Sequence, residues 1–224
     1  ASTGRANPSA GFSIVSYTGS GSAATIGHNL NTVPSLVIVK NRDAANYWQV
    51  FHVSVGNTKS LHLNATSAPD TASSYWNDTS PTTSVFSVGS SVSVNNSGSN
   101  IIAYCFAPVE GYSSAFSFTG TGVDPGPFVY LGFRPKLIII KRTDTTSVAN
   151  NWRMIDMTIN PYNVADTLLF ANLSQAELTE IWGEYDALSN GFRVMTPDSN
   201  QNASGGSYIG FAFAEHPFKT SRAR

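Results

Sequence analysis

Histidine and cysteine are the residues of this chain best suited to hold a metal ion or to move a proton. The four histidines are His28, His52, His62 and His216, and none shows the His-x-His or His-Glu-x-x-His spacing of a metal site. The only cysteine, Cys105, lies in an apolar run, which predicts a small buried side chain rather than a reactive thiol. We therefore expect no metal site and no cofactor.

Carboxylates and hydroxyls could supply acid–base or nucleophilic chemistry. Asp43 and Asp144 each lie three positions after a lysine, Lys40 and Lys141, at the end of an apolar run. This spacing predicts either a turn-forming aspartate or an ion pair at the exposed end of a strand. The sequence contains no phosphate-binding glycine loop and no complete nucleophile elbow. Two glycosidase carboxylates could come from distant loops, but no spacing favours them. We therefore expect no catalytic residues and a protein that is not an enzyme.

Aromatic and amide side chains in loops are the remaining candidates for binding. Exposed tyrosines can stack on a sugar ring, and exposed amides can hydrogen-bond its hydroxyl groups. Ordinary turn residues are the alternative at each position. The candidate ligand-binding residues are Asn46, Tyr47, Tyr75, Asn150 and Asn151.

The elements that must position these residues occur twice in the chain. The motif Tyr-Thr-Gly-Ser-Gly at 17–21 returns at 118–122 as Phe-Thr-Gly-Thr-Gly, and the run at 34–40 returns at 135–141. Matching positions lie 101 to 107 residues apart, which indicates a duplicated module of about 100 residues.

Residues that both copies keep are expected to be scaffold, so function is expected where the copies differ. Both copies keep two tryptophans, which we expect to pack in the core: Trp48 with Trp152, and Trp76 with Trp182. Tyr47 and Tyr75 have no aromatic counterpart in the second copy, and the loop at 144–152 is longer and richer in amides than its equivalent at 43–48.

Short apolar or alternating runs, separated by Gly, Asn and Ser, predict strands throughout the chain. One helix is predicted at 175–182, because Ser174 and Glu177 form a capping box. The expected fold is all-β, with two tandem homologous β-sandwich or jelly-roll-like units and at most one or two short helices. The expected boundaries are a flexible lead-in at 1–10, a first unit at 11–109, a second unit at 110–219 and a tail at 220–224.

Composition limits the partners of this chain. Charged residues make up only 12% and the net charge is −1, so we expect no nucleic-acid partner, which would need a basic face. The longest apolar run, 101–109, is too short to cross a membrane, so no membrane insertion is expected. Abundant hydroxyls and amides suit an extracellular or virion surface. The polar start has no secretory signal and suggests the C-terminal part of a longer polypeptide.

Several motifs of the first copy follow one another in a recognisable order. They are Tyr-Thr-Gly-x-Gly at 17–21, Gly-His-x-Leu at 27–30, Val-Pro-x-Leu-Val-Ile-Val-Lys-Asn-Arg-Asp at 33–43, Trp-Asn-Asp-Thr at 76–79, Val-Phe-Ser-Val-Gly at 85–89, Asn-Asn-Ser-Gly at 95–98 and Ile-Ala-Tyr-Cys-Phe-Ala at 102–107. This order resembles a module common in structural proteins of tailed bacteriophages, especially marine phages, where it often lies in tail-fibre or appendage proteins. The second copy departs from it, because 126–135 replaces the Gly-His-x-Leu stretch.

The resemblance implies a non-enzymatic virion protein on an external appendage, with attachment to a host-surface glycan. It also implies contacts with other virion proteins and a homo-oligomer, for which a trimer is favoured. One alternative is an architectural capsid-decoration or fibre-connector protein without a receptor site. A glycan depolymerase is the other alternative.

Overall fold

The chain is described by a computed structural model that covers residues 2–146, 150–179 and 184–216. Its regular structure is 43% strand and 7% helix, which confirms the all-β prediction. The chain divides into two compact units. The first contains Ala1–Asn64 and Pro69–Val109, and the second contains Ala65–Ala68 and the chain from Glu110 onward.

The first unit contains a large and a small antiparallel sheet. The large sheet has the order β1 (Ser2–Asn7), β2 (Phe12–Thr18), β9 (Asn100–Phe106), β4 (Leu36–Asn41), β5 (Gln49–His52), β6 (Lys59–His62) and β7 (Asp70–Thr71). The small sheet pairs β3 (Ala24–Gly27) with β8 (Val85–Val88). The short helices are a 3₁₀ turn (Pro8–Ala10), α1 (Ser73–Trp76) and α2 (Val92–Asn95).

The second unit repeats this plan. Its large sheet has the order β10 (Ser113–Thr119), β18 (Ser207–Ala214), β12 (Pro135–Arg142), β13 (Arg153–Asp156), β14 (Thr167–Phe170) and β15 (Leu178–Thr179). Its small sheet has the order β11 (Phe128–Tyr130), β17 (Gly191–Val194) and β16 (Tyr185–Leu188), and its helix is α3 (Ser199–Asn202). The order β2-β9-β4-β5-β6-β7 therefore matches β10-β18-β12-β13-β14-β15, which is the structural form of the sequence repeat.

Each unit has one hydrophobic core between its two sheets. In the first unit, Val37 and Val39 of β4 meet Phe86 and Val88 of β8, and Trp76 is buried among them. In the second unit the corresponding strands supply Ile138, Ile140, Phe192 and Val194. The inward side chains are two residues apart, as strand geometry requires. Each unit is thus a two-layer β structure, and Trp152 is also buried.

Buried asparagines hold the glycine-rich turn of each unit. Asn95 accepts a hydrogen bond from Ser20 N at 2.8 Å and donates to Ser22 O at 2.6 Å and Gly89 O at 2.8 Å. In the second unit, Asn202 forms the equivalent hydrogen bonds. Its side chain accepts from Thr121 N at 2.7 Å and donates to the carbonyl oxygens of Val123 and Thr196, each at 2.8 Å. These paired asparagines are scaffold.

The lead-in prediction is wrong for residues 2–7. They form strand β1, which pairs antiparallel with β2 although all six residues are exposed. The sequence shows no apolar pattern there, because an edge strand needs only backbone hydrogen bonds to its neighbour. The helix prediction is also wrong where the structure describes it. Ser174 to Glu177 are not helical and Leu178–Thr179 pairs with β14, while residues 180–183 lie outside the described part.

Asp43 and Asp144, the aspartates that follow a lysine by three positions, both hydrogen-bond to backbone N–H groups. Asp43 accepts hydrogen bonds from the backbone and side chain of Asn100, at 2.7 and 3.1 Å. Asp144 forms its ion pair with Arg142, at 2.8 Å, rather than with the lysine three residues before it. It also accepts from the backbone of Ser207 at 3.3 Å. Both aspartates therefore fasten the start of the closing strand, β9 or β18.

Candidate functional site

Tyr47 lies flat on the ring of His62. The antiparallel register pairs Gln49 of β5 with His62 of β6, so the chain that enters β5 passes beside the end of β6. The two ring centroids are 4.4 Å apart and their planes differ by 10°. His62 is only 4% exposed, whereas Tyr47 is 51% exposed. One face of the tyrosine is thus supported by a buried ring.

Asp70 and Tyr75 complete this cluster. Asp70 begins β7 opposite Ser60 of β6, which places its carboxylate oxygen Oδ2 3.3 Å from His62 Nε2. Helix α1 positions Tyr75, whose hydroxyl lies 3.5 Å from the same oxygen. The Tyr75 ring meets the His62 ring edge-on, with centroids 6.4 Å apart. We call Tyr47, His62, Asp70 and Tyr75 the Tyr47 site.

Burial shifts the pKa of two rings of the site, those of His62 and Tyr75, in the direction that favours the uncharged form. It lowers the pKa of His62, and the nearby Asp70 carboxylate opposes this shift only in part. It also raises the pKa of Tyr75, with smaller contributions from the charge and hydrogen bond of Asp70. The imidazole can therefore act as a neutral support for the Tyr47 ring, and Asp70 supplies the carboxylate of the site.

The match to known families covers almost the whole chain. A family model described as a domain of unknown function (DUF7483) matches residues 1–217. The chain belongs to the DUF7483 family. No curated protein and no solved structure matches it. The DUF7483 match runs through both units, so it includes the duplication and every residue of the Tyr47 site.

The second unit of this DUF7483 chain has different residues where the first has its site. The register pairs Arg153 with Phe170 as it pairs Gln49 with His62, so Phe170 occupies the position of the imidazole. Leu178 pairs with Leu168 at the position that corresponds to Asp70. The guanidinium of Arg153 lies 5.9 Å from the centre of the Phe170 ring. The imidazole–carboxylate pair therefore distinguishes the first unit from the second.

The structure brings together two of the five predicted binding residues, Tyr47 and Tyr75, beside one imidazole. Asn46 donates to Val92 O at 3.2 Å and is half-buried. The sequence analysis selected these three residues for the same reason, namely that the loops of the first copy differ from those of the second.

The amides of the second copy take part in internal hydrogen bonds. Asn150 is fully buried, its side chain donates to Thr145 O at 2.7 Å, and its carbonyl accepts from Lys141 at 2.6 Å. The prediction expected an exposed amide at this position, and it is wrong because the Asn150 side chain is buried. Asn151 is half-buried and accepts a hydrogen bond from Asn172 at 2.8 Å.

Sequence reasoning missed His62 and Asp70 as site residues. His62 has no histidine counterpart in the second copy, and this difference was the signal that could have singled it out. Its contact with Asp70 depends on the pairing of β6 with β7, and β7 is only two residues long. A strand of that length leaves no periodic pattern in a sequence.

Other parts of the described chain are weaker candidates for a functional site than the Tyr47 site. Within residues 2–146, 150–179 and 184–216, no group of three or more His, Cys, Asp or Glu is placed to hold a metal ion. No helix of the same residues is long and apolar enough to cross a membrane. A cavity of about 250 Å³ lies beside β2 and β3, but its polar groups from Tyr17 and Asn95 already bond to the backbone.

Proposed function

We propose that this chain is a non-enzymatic structural module of a bacteriophage tail fibre or similar appendage, and that its first unit attaches to a glycan on the host surface through the Tyr47 site. The observation that carries the attachment is the exposed Tyr47 ring stacked on the buried His62 ring. The apolar face of a pyranose ring can rest on such a platform. Its hydroxyl groups then reach the polar atoms of Asp70 and Tyr75.

The geometry supports weak, repeatable binding. An aromatic side chain has about 150–250 Å² of surface, and 51% of Tyr47 is exposed. A sugar that covers about half of the exposed area removes about 50 Å² from water, which contributes about 1 kcal/mol, or a factor of five to ten in Kd. Because His62 already holds the ring, little side-chain entropy is lost on binding.

The composition of the site favours binding over hydrolysis. The Tyr47 site contains one carboxylate, that of Asp70, whereas most glycosidases use two, one on each side of the scissile bond. Release of reducing ends from host polysaccharide would support the depolymerase alternative and contradict this part of the proposal.

The proposed location on a phage appendage rests on the motif resemblance and on the low charge of the chain. A site of about this strength needs many copies, and a homo-oligomer such as a trimer, repeated on each virion, would supply them. Labelled antibodies against the chain should bind an external appendage in electron micrographs of the virion. Labelling elsewhere, or none, would contradict the proposed location.

Attachment can be tested with a pair of tyrosine variants. Tyr47→Ala should reduce binding of the purified chain to host cells about five- to tenfold. Tyr162→Ala is the matched control, because Tyr162 is 84% exposed in the second unit and lies outside the site. Circular dichroism should show that both variants are folded. Equal binding by wild type and Tyr47→Ala would contradict the proposal and favour the architectural alternative.

A further inference from the structure

The hydrogen-bonding atoms of the Tyr47 site are mainly acceptors. The Nε2 atom of His62 is buried and lies 3.3 Å from Oδ2 of Asp70, and the hydroxyl of Tyr75 donates to the same oxygen at 3.5 Å, so neither group presents a donor to a ligand. Within the described residues, the hydrogen bonds to Asp70 reach only this oxygen. The other carboxylate oxygen and the lone pairs of the Tyr75 hydroxyl remain as acceptors. The side chain of Asp70 is 52% exposed, so a ligand can reach it.

Among the residues that the structure describes, no lysine or arginine forms an ion pair with this carboxylate. The nearest lysine on the same strands is Lys59, which pairs with Thr71. Since side chains alternate along a strand, Lys59 lies on the face opposite to Ser60 and Asp70. The ion pairs of the described residues join Asp70 to His62 alone, and burial lowers the pKa of that imidazole. An acidic ligand would therefore meet a negative charge without a counter-charge.

We propose that the Tyr47 site selects uncharged sugars, pyranose rings with neighbouring free hydroxyl groups, and rejects uronic acids and other acidic sugars. This inference rests on the proposed glycan attachment. A neutral sugar stacks on Tyr47 and donates one hydroxyl proton to the free oxygen of Asp70 and a second to the hydroxyl oxygen of Tyr75. The carboxylate of an acidic sugar adds hydrogen-bond acceptors at a site where acceptors already predominate. Its negative charge also repels the carboxylate of Asp70.

The experiment compares matched neutral and acidic ligands on one array. The probes are immobilised oligosaccharides of glucose, galactose and mannose, each beside its counterpart oxidised at C6 to the uronate. The full chain should bind at least one neutral probe and should bind the matching uronate at least about tenfold more weakly. Asp70→Asn should narrow this gap, because it removes the charge and introduces an N–H donor. Asp70→Leu introduces the residue found at the corresponding position of the second unit, Leu178. Because leucine has no hydrogen-bond acceptor in its side chain, this variant should bind the neutral probe more weakly.

The outcomes separate this inference from the attachment proposal. Uronates that bind as tightly as the neutral probes, or a preference that Asp70→Asn leaves unchanged, would overturn the selectivity alone. Binding that survives Tyr47→Ala would overturn the placement of the site. A folded wild-type chain that binds none of the probes would count against attachment to such sugars and against this inference together.

Discussion

Replacement of Asn95 by alanine should destabilise the first unit severely. The Asn95 side chain is 1% exposed and joins three parts of the chain, through Ser20 N, Ser22 O and Gly89 O. Alanine removes all of these hydrogen bonds and leaves the buried Gly89 O without its side-chain partner, whereas Ser22 O keeps a hydrogen bond from Ser20 Oγ at 2.7 Å. A buried polar group left in this way costs about 1–3 kcal/mol, and each of the other two hydrogen bonds contributes about 0.5–1.5 kcal/mol. We therefore expect the free energy of unfolding to fall by about 2–5 kcal/mol, a large part of the stability of a small domain.

Urea denaturation followed by tryptophan fluorescence measures this change, since Trp48 and Trp76 belong to the first unit. The matched control is Asn96→Ala, at the next position. Asn96 is half-buried and donates one side-chain hydrogen bond, to Ser99 Oγ at 2.6 Å, so its loss should cost about 1 kcal/mol. A loss below 1 kcal/mol for Asn95→Ala, or equal losses for both variants, would refute the assigned role of the buried amide.

Two further predictions concern buried titratable groups. Burial lowers the pKa of His28 below its usual 6.5, and its Nδ1 accepts a hydrogen bond from Leu30 N at 3.2 Å. The unfolded chain therefore binds the proton more readily, so the stability that the neutral ring contributes is present above about pH 6.5 and is lost as the pH falls through the lower folded value. An NMR titration of the His28 ring checks the pKa, and urea midpoints at pH 7.5 and 5.5 check the stability. Burial also raises the pKa of Cys105 to about 12, so a thiol reagent at pH 8 should label it only after unfolding.

Each of these predictions has a clear contrary result. A His28 pKa at or above 6.5 would contradict the buried neutral ring. Rapid labelling of Cys105 in the folded chain, at the rate found in urea, would contradict its packing in the first core.

The repeat was the part of the fold most open to prediction from sequence. Runs such as Leu36–Asn41 and Pro135–Arg142 are apolar and β-branched, and they are central strands of the large sheets. Strand β1 escaped prediction because its pairing uses backbone atoms alone and leaves no apolar signature. The capping box at Ser174 suggested a helix, but a helix of eight residues is marginal by itself. Pairing of Leu178–Thr179 with β14 is the stronger interaction there.

The candidate site was open to prediction only in part, for a similar reason. Tyr47 and Tyr75 could be selected because the second copy has no aromatic counterpart for them. That both rings lie beside one imidazole, and that Asp70 approaches it, depends on strand register and on a two-residue strand. Asn150 shows the limit of the same reasoning, since a residue that differs between copies can still be buried.

The central claim is that the exposed face of Tyr47 receives the ligand. The most direct test is an NMR titration of the isotope-labelled full chain with polysaccharide from the host surface. The account predicts shifts confined to Tyr47 and its neighbours in the site: the ring signals of His62 and Tyr75, and the backbone of Asp70. No shifts at any concentration, or shifts centred on the second unit around Tyr162, would contradict it.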